Sequence, residues 1–382
     1  MIGPYRAETE NGQRTIRFIG NKRFPLIKNV CEIEFEAFTS NNIIADLSGS
    51  DIWPHIHKID NSVFSATVSY FQQIGADWCN LPLTTMMISS PGEVYAGRSL
   101  DYTTDALPVQ LTWFDAKRPI FLSESSQFYL ELALLTRGVD KVFAIYNSFR
   151  KEKADFTRLS EFTHIEFEGH VDYHTNLDIA LGLLEHVTHY LLIENSRDLQ
   201  ALLTTEDILQ LEHTFNRKNI EHITYREALD LLYRDTGKAK YKEFTLKHFG
   251  AWEEIKLTEI VGRHVVVREM PLMEIPFYHN AFGRNEDGFL VAQNADIILC
   301  GYRETVGCGT RIIDPNALEE KCRIFNLPLE DYAPYLESRR TPNYLSSSGF
   351  GMGWQRYTQW LLKLPFIWST CRWPRGHTLP KP

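Results

Sequence analysis

The sequence predicts an α+β fold, mainly an antiparallel sheet flanked by helices. Two observations carry that class. Residues 141–168, KVFAIYNSFRKEKADFTRLSEFTHIEFE, alternate as two strands joined by a charged loop; Val142, Phe143, Ile145, Tyr146 and Phe149 lead in, and Phe162, Ile165 and Phe167 lead out. Apart from that hairpin, residues 176–195 form a long apolar helical stretch, with a second plausible one over 199–215.

The remaining elements follow in order. Residues 1 to about 25 read as an irregular arm, and 30–46 alternate as a hairpin turning at Ser40-Asn41-Asn42. Over 61–75, Val63, Phe64, Val68, Phe71 and Ile74 have helical spacing with a glycine stop, and 78–81 run as a strand into Pro82. Residues 84–108, rich in Ser, Thr, Gly and Pro, read as an ordered loop. A hairpin is expected over 111–114 and 120–123, then a helix entered through 123–135. A charged helical insertion occupies about 200–257; 265–277 is a buried strand and turn, 296–311 a strand with an acidic end, and 349–374 a glycine loop with its helix. The simplest layout is a short extension, 1–60, on one core, 61–382.

Composition bounds the function. The 382 residues, 43% hydrophobic and 13% aromatic, can bury a substantial core. Forty basic against 49 acidic residues give a formal charge of −9, which excludes broad electrostatic attraction to nucleic acid but leaves room for a local basic groove. No run approaches a membrane helix in length and the N-terminus is too polar for a signal peptide, so a cytoplasmic protein without membrane attachment is expected. Six cysteines without a CxxC pair read as reduced thiols. His55/His57 and His186/His189 lack companion ligands, which favours packing or surface roles over a metal site.

The 141–168 hairpin carries the chemistry. Arg150 and Glu152 close its first strand, Arg158 sits in the turn, and Glu161, His164, Glu166 and Glu168 follow along the second strand. Guanidinium forks clamp phosphate oxygens and carboxylates hold an amine, so the pattern suits a polyanion bound beside an ammonium group. Alone, such a pattern more often describes a solvated edge. A second stretch, GFGMGWQR at 349–356, opens an apolar helix.

Together, in this order, FRKE (149–152), RLSEFT (158–163) and GFGMGWQR resemble motifs 2 and 3 of the class II aminoacyl-tRNA synthetases. The 61–82 helix and strand resemble the degenerate motif 1, which implies a homodimer. SESSQFYLELALL (123–135) resembles the SSQLYLE segment of asparaginyl-tRNA synthetases, and ITYREALDLLYRDTG (223–237) is familiar in that subclass. The resemblance covers roughly 61–382 and implies the class II catalytic fold, ATP and Mg2+ as cofactors, and an amino acid substrate.

Residue by residue, the resemblance implies that Arg150 bridges the α-phosphate and the substrate carboxylate. It gives Glu152 the adenine amino group, Phe162 and Arg356 the two faces of adenine, and Arg158 the γ-phosphate. Glu304 would bind the metal, with Asp296 a second carboxylate; Gly307 stands where some members have a serine ligand. Gln127 and, on a looser match, Asp105 would hold the α-amino group, and Arg311 the side-chain oxygen. Leu130 replaces the lysine of aspartyl enzymes and Glu166 matches the asparaginyl pattern. Gln355 departs from the Glu-Arg pair usual in motif 3.

The stretch before motif 1 is short for the five-stranded barrel with which asparaginyl and aspartyl enzymes bind the anticodon, so tRNA is not the expected acceptor. A core of this kind resembles archaeal asparagine synthetase related to asparaginyl-tRNA synthetase. The first expectation is therefore an AMP-forming ligase that activates aspartate and amidates it with ammonia or another amine. A second is an enzyme that adenylates asparagine or an analogue on its α-carboxylate for tRNA or a small-molecule acceptor. A third is a silent regulatory paralogue, against which Arg150, Glu304 and Arg356 together argue.

Overall fold

The computed structural model describes residues 3–24, 29–33, 43–89, 107–152, 154–342 and 344–376. Its centre is a mixed sheet of eight strands in the order β3-β7-β8-β15-β14-β13-β10-β9. In chain order these are β3 (Asp77–Trp78), β7 (Lys141–Phe149), β8 (Glu161–Gly169), β9 (Glu221–Thr224), β10 (Val265–Arg268), β13 (Asn294–Ile298), β14 (Glu304–Thr310) and β15 (Ser348–Gly353). Only the edge pairs β3–β7 and β9–β10 are parallel; the six inner strands are antiparallel. Helices flank the sheet, as expected.

One face of the sheet is covered by α4 (Tyr173–Glu194), which packs on β14 and β15, and by α2 (Trp53–Gln73), which packs on α4. On α2 the buried residues Ile56, Ile59, Val63, Ala66 and Phe71 recur every three to five positions, the apolar stripe of a helix with one face on a core. Phe71 stacks with Phe143 and Phe167 of β7 and β8 at 4.5 and 5.9 Å between ring centroids. Helix α2 starts at Trp53, ahead of the expected Asn61, with Pro54 in its first turn, where a missing N–H costs nothing.

Four expectations are corrected. The arm before residue 25 contains a hairpin, β1 (Tyr5–Glu10) and β2 (Gln13–Phe18), closed by Asn11 and Gly12 at φ +49° and +79°. Asn-Gly supplies the two left-handed residues that such a two-residue turn needs. Residues 30–46 are not a hairpin where described: Val30–Glu32 is a 3₁₀ turn and Ile43–Gly49 is helix α1. The 296–311 strand is two, β13 and β14, reversed through Gly301 at φ +71°, whose Cα packs on the backbone of Gly3 with no space for a side chain. The glycine loop at 349 is strand β15 in the middle of the sheet. The 200–257 segment is helical as expected, but it also delivers edge strand β9.

The other expected elements form with shifted ends. Strands β5 (Val109–Leu111) and β6 (Ile120–Leu122) pair antiparallel, α3 spans Gln127–Ala133, and 196–214 splits into α5 (Ser196–Leu202) and α6 (Thr205–Thr214), where Thr204 and Asp207 form a capping box. Helix α7 (Tyr225–Thr236) starts with a second capping box, Thr224 and Glu227. Helices α8 (Ala251–Val261) and α11 (Trp354–Leu361) supply residues to the site. Strand β4 (Thr84–Thr85) pairs with β6, β11 (Ala281–Arg284) pairs with β12 (Leu290–Ala292), and α9 (Pro315–Ile324) and α10 (Ala333–Ser338) precede β15.

Candidate active site

The open face of the sheet is a cleft of about 340 Å³, lined by residues of β8, β13, β14 and β15 together with α8, α11 and the segments after β7 and β10. Strand alternation sets its contents. Side chains two apart share a face, so Phe162, His164, Glu166 and Glu168 of β8 form one row. Ladder pairing sets Gly353, Gly351 and Gly349 opposite the last three of these, and Gly307 and Gly309 beyond. Phe350, Met352, Val306 and Cys308 take the intervening positions and are buried in the core.

The glycines make space for the neighbouring groups. A Cβ on Gly349 would lie 2.0 Å from Glu168 Oε2 and 2.5 Å from Gln127 Nε2; one on Gly309 would lie 2.4 Å from the His279 ring. Gly307 and Gly351 line the cleft itself. The floor there is peptide backbone, on which a flat ligand can lie.

At one end Arg150 Cζ lies 5.3 Å from the Phe162 ring centroid. The guanidinium over Phe162 is thus that of Arg150; Arg356 is directed at Glu304, donating to its backbone carbonyl and lying 3.9 Å from its carboxylate. Arg158 sits 3.6 Å from Glu152, so these two expected phosphate and adenine contacts face each other. Gln355 accepts from the Thr163 N–H at 2.8 Å and donates to the Thr163 hydroxyl at 3.1 Å. A neutral amide makes both bonds, which gives the departure from motif 3 a physical basis: it ties α11 to β8 beside Phe162.

Asp296 and Glu304 face one another across Gly307. A Cβ there would lie 2.8 Å from Glu304 Oε1 and 3.8 Å from Asp296 Oδ1. Glu304 is aimed by a bulge. Ile297 pairs with Val306 but Ile298 with Glu304, so Thr305 is the extra residue that turns Glu304 onto the cleft face. Burial, then the Glu304 and Glu254 charges, push the Asp296 carboxyl well above the usual carboxylate range. Burial works against the charge of Glu254, but Arg303, at 3.1 and 3.3 Å, outweighs it and holds that carboxyl low; Glu254 also accepts from the Glu304 N–H at 2.7 Å. Two hard oxygen donors fit an ion that binds one or two carboxylates and fills its shell with phosphate and water. Among the described residues no group of three or more His, Cys, Asp or Glu side chains could hold a metal alone.

The other end is a buried polar network. Gln127 Nε2 donates to Glu168 and, at 2.7 Å, to the Phe167 carbonyl. Arg311 donates to both oxygens of Glu168 at 2.8 to 3.2 Å and lies 3.7 Å from Glu131, while Arg339 is bonded to Glu131. Glu166 accepts from the Ser125 hydroxyl at 2.6 Å and from Tyr146. Burial raises its carboxyl to about 7. Leu130 is corrected: it packs with Leu134, Val142 and Ala144, against Tyr146, and is not among the residues lining the cleft. It supports the wall behind Tyr146 and Glu166. Asp105 lies outside the described residues. Sequence reading left out Glu168 and Glu131 as partners of Arg311, Arg339 as the second partner of Glu131, and His164 as a cleft residue. Of these, Glu168 and His164 were accessible through the period-two row on β8.

The chain belongs to the class II tRNA synthetases of the D, K and N group: the family model matches residues 95–377. Members of this family are ATP-dependent ligases that adenylate amino acids. Among curated proteins, the chain is 27% identical over 341 residues to asparagine–tRNA ligase of Protochlamydia amoebophila, covering 84% of this chain and 69% of that protein. It is 31% identical over 260 residues to asparagine–tRNA ligase of Chloroflexus aurantiacus, covering 67% and 57%. The fold is similar to asparaginyl-tRNA synthetase of Pyrococcus horikoshii in complex with asparaginyl-adenylate, with TM-score 0.77, 23% identity, and coverage of 97% of this chain and 83% of that one. A putative aspartyl-tRNA synthetase of Leishmania major gives TM-score 0.70 at 19% identity over 92% and 70%.

Proposed function

We propose that this chain adenylates asparagine or a close analogue on the α-carboxylate and passes the acyl group to an acceptor. The observation that carries the choice of substrate is the charge state of the inner pocket. Arg311, the guanidinium available to a substrate side chain, already has both Glu168 oxygens on its fork, so a β-carboxylate would meet a neutralised pair with Glu166 beside it. An amide suits the same place: its oxygen accepts from Arg311 and its NH2 donates to Glu166. The likeness to asparagine–tRNA ligases agrees.

In this reading Phe162 and Arg150 bracket the nucleotide end, with Glu152 and Arg158 separating to take adenine and the terminal phosphates, and Arg356 covering the base. Arg150 stabilises the charge that grows on the α-phosphate as the carboxylate attacks. Gln127 orients the substrate's amino end through the Glu168 it holds. Glu304 and Asp296 would hold Mg2+, which supplies charge neutralisation at the phosphates. We place the dimer contact on the motif 1 elements α2 and β3, and treat residues ahead of α2 as an extension and 200–257 as an insertion.

The test is exchange of pyrophosphate into ATP, run with asparagine and with aspartate. Asparagine-dependent exchange is expected. Aspartate-dependent exchange that yields asparagine and AMP when ammonium is added would overturn this reading in favour of side-chain amidation. Candidate acceptors, tRNA included, are then assayed against the loaded enzyme.

A further inference from the structure

We infer that His164 is the general base that takes the proton released when an amine acceptor attacks the acyl adenylate. This rests on the adenylation reading above. Along β8 the row runs Phe162, His164, Glu166, from the nucleotide end of the cleft to the side-chain end. Residues two apart on a strand are spaced by about 7 Å. The imidazole is therefore level with the junction between nucleotide and amino acid, where the mixed anhydride lies. It lines the cleft, and its cross-strand neighbour on β15 is Gly353, which puts no side chain over it.

The ring is held in one orientation. It meets Phe162 edge-on, 4.8 Å between centroids at 90°, and its Nδ1 lies 2.8 Å from the Ser148 hydroxyl and 3.4 Å from Glu166 Oε1. With Nδ1 bonded to the Ser148 hydroxyl, the proton is assigned to Nδ1, so that Ser148 accepts and the Nε2 lone pair is left as the acceptor. The charged groups around it are Arg150 after β7, Arg356 on α11 and Glu166 on β8. Burial first, then the two arginines, hold the imidazole well below its usual range, hence neutral and able to accept a proton at neutral pH, but a weaker base than a free imidazole.

The step balances. The amine lone pair forms the C–N bond, the acyl C–O bond to phosphate breaks, AMP leaves with that electron pair, and the N–H proton passes to Nε2. Adenylate formation needs no such base, because the substrate carboxylate is already ionised, and this separates the two half-reactions.

The experiment compares wild type, His164→Gln and His164→Ala in three assays with asparagine: pyrophosphate exchange, hydroxamate formation with hydroxylamine, and α-amide formation with ammonia or methylamine. Hydroxylamine is unprotonated at neutral pH and captures adenylates without a base. In the variants, amide formation is expected to fall about 100-fold or more, the scale of general base catalysis, with exchange and hydroxamate formation falling less than tenfold. Equal losses in all three would make His164 a packing residue and overturn the proposal, as would amide formation that survives in both variants. Wild-type exchange without amide formation would also overturn it while leaving the adenylation reading standing. Wild type without exchange would remove that reading as well.

Discussion

Replacing Gly349 by Ala tests the glycine row most directly. The new methyl would stand 2.0 Å from Glu168 Oε2, 2.3 Å from the Phe167 carbonyl and 2.5 Å from Gln127 Nε2. The carbonyl belongs to the neighbouring strand of the sheet and cannot turn aside, so the strands must part or the side chains must leave. Overpacking of this kind costs about 1–3 kcal/mol. Moving Glu168 also leaves Arg311 with a buried, poorly matched charge, and breaking a buried pair costs about 3–5 kcal/mol. A loss of at least about 2 kcal/mol is expected, read as a shift of the urea midpoint at constant slope. The internal control is Gly351→Ala, two residues along the same row. Its methyl would lie 3.5 Å from the nearest atom, Glu166 Oε1, an ordinary contact, so its stability should stay within about 1 kcal/mol of wild type while asparagine-dependent exchange falls because the methyl enters the cleft. Equal destabilisation by the two substitutions, or a Gly349→Ala variant as stable as wild type, would refute the reasoning.

Three further outcomes are expected. Arg150→Ala should abolish pyrophosphate exchange with little effect on folding, since its guanidinium lies over Phe162 at the cleft; unchanged exchange would remove it from the reaction. Glu166 should give the asparagine KM a pH dependence: its carboxylate form accepts from the substrate amide more strongly than the protonated acid does, so KM should fall as pH rises through about 7, a limb that Glu166→Gln abolishes. The same raised carboxyl acts oppositely on folding: its contribution is fullest below the ordinary carboxylate range and is lost as pH rises toward 7, visible as a difference between wild-type and Glu166→Gln denaturation midpoints. Glu304→Gln should raise the Mg2+ concentration needed for half-maximal exchange about tenfold or more, with calorimetric stability near wild type because the side chain is 38% exposed.

What the sequence revealed divides along one line: whatever local alternation encodes was readable. The β7–β8 ladder pairs Lys141 with Gly169 through to Phe149 with Glu161, the ends expected from the alternation, and with it came the positions of Arg150, Phe162 and Glu166 along the hairpin, their expected roles coming from the motif resemblance. The motif resemblance then supplied Glu304, Arg311 and Arg356. What failed depends on distance or on broken periodicity. Arg339 and Glu131 are 208 residues apart, with no local signal to join them. The Thr305 bulge sets Glu304 and Gly307 on one face at an odd spacing, which an alternation search discards. Leu130 was assigned by position in a motif, which says which residue corresponds but not which way a helix turns it. The β1–β2 hairpin was the avoidable miss, since Asn11-Gly12 is a strong turn signal in its own right.

The glycine floor also limits how this cleft can diverge. Glycine is the smallest residue there is, so substitution at Gly307 or Gly351 can only make the cleft shallower. A descendant that accepts a slimmer substrate is one methyl away. A descendant that needs more depth under the nucleotide or amino acid cannot obtain it from these positions and must move whole strands. Change in substrate choice is therefore channelled into the buried side chains that stand on the floor, such as Glu166 and His279, while the floor keeps one thickness across whatever acceptors the enzyme comes to serve.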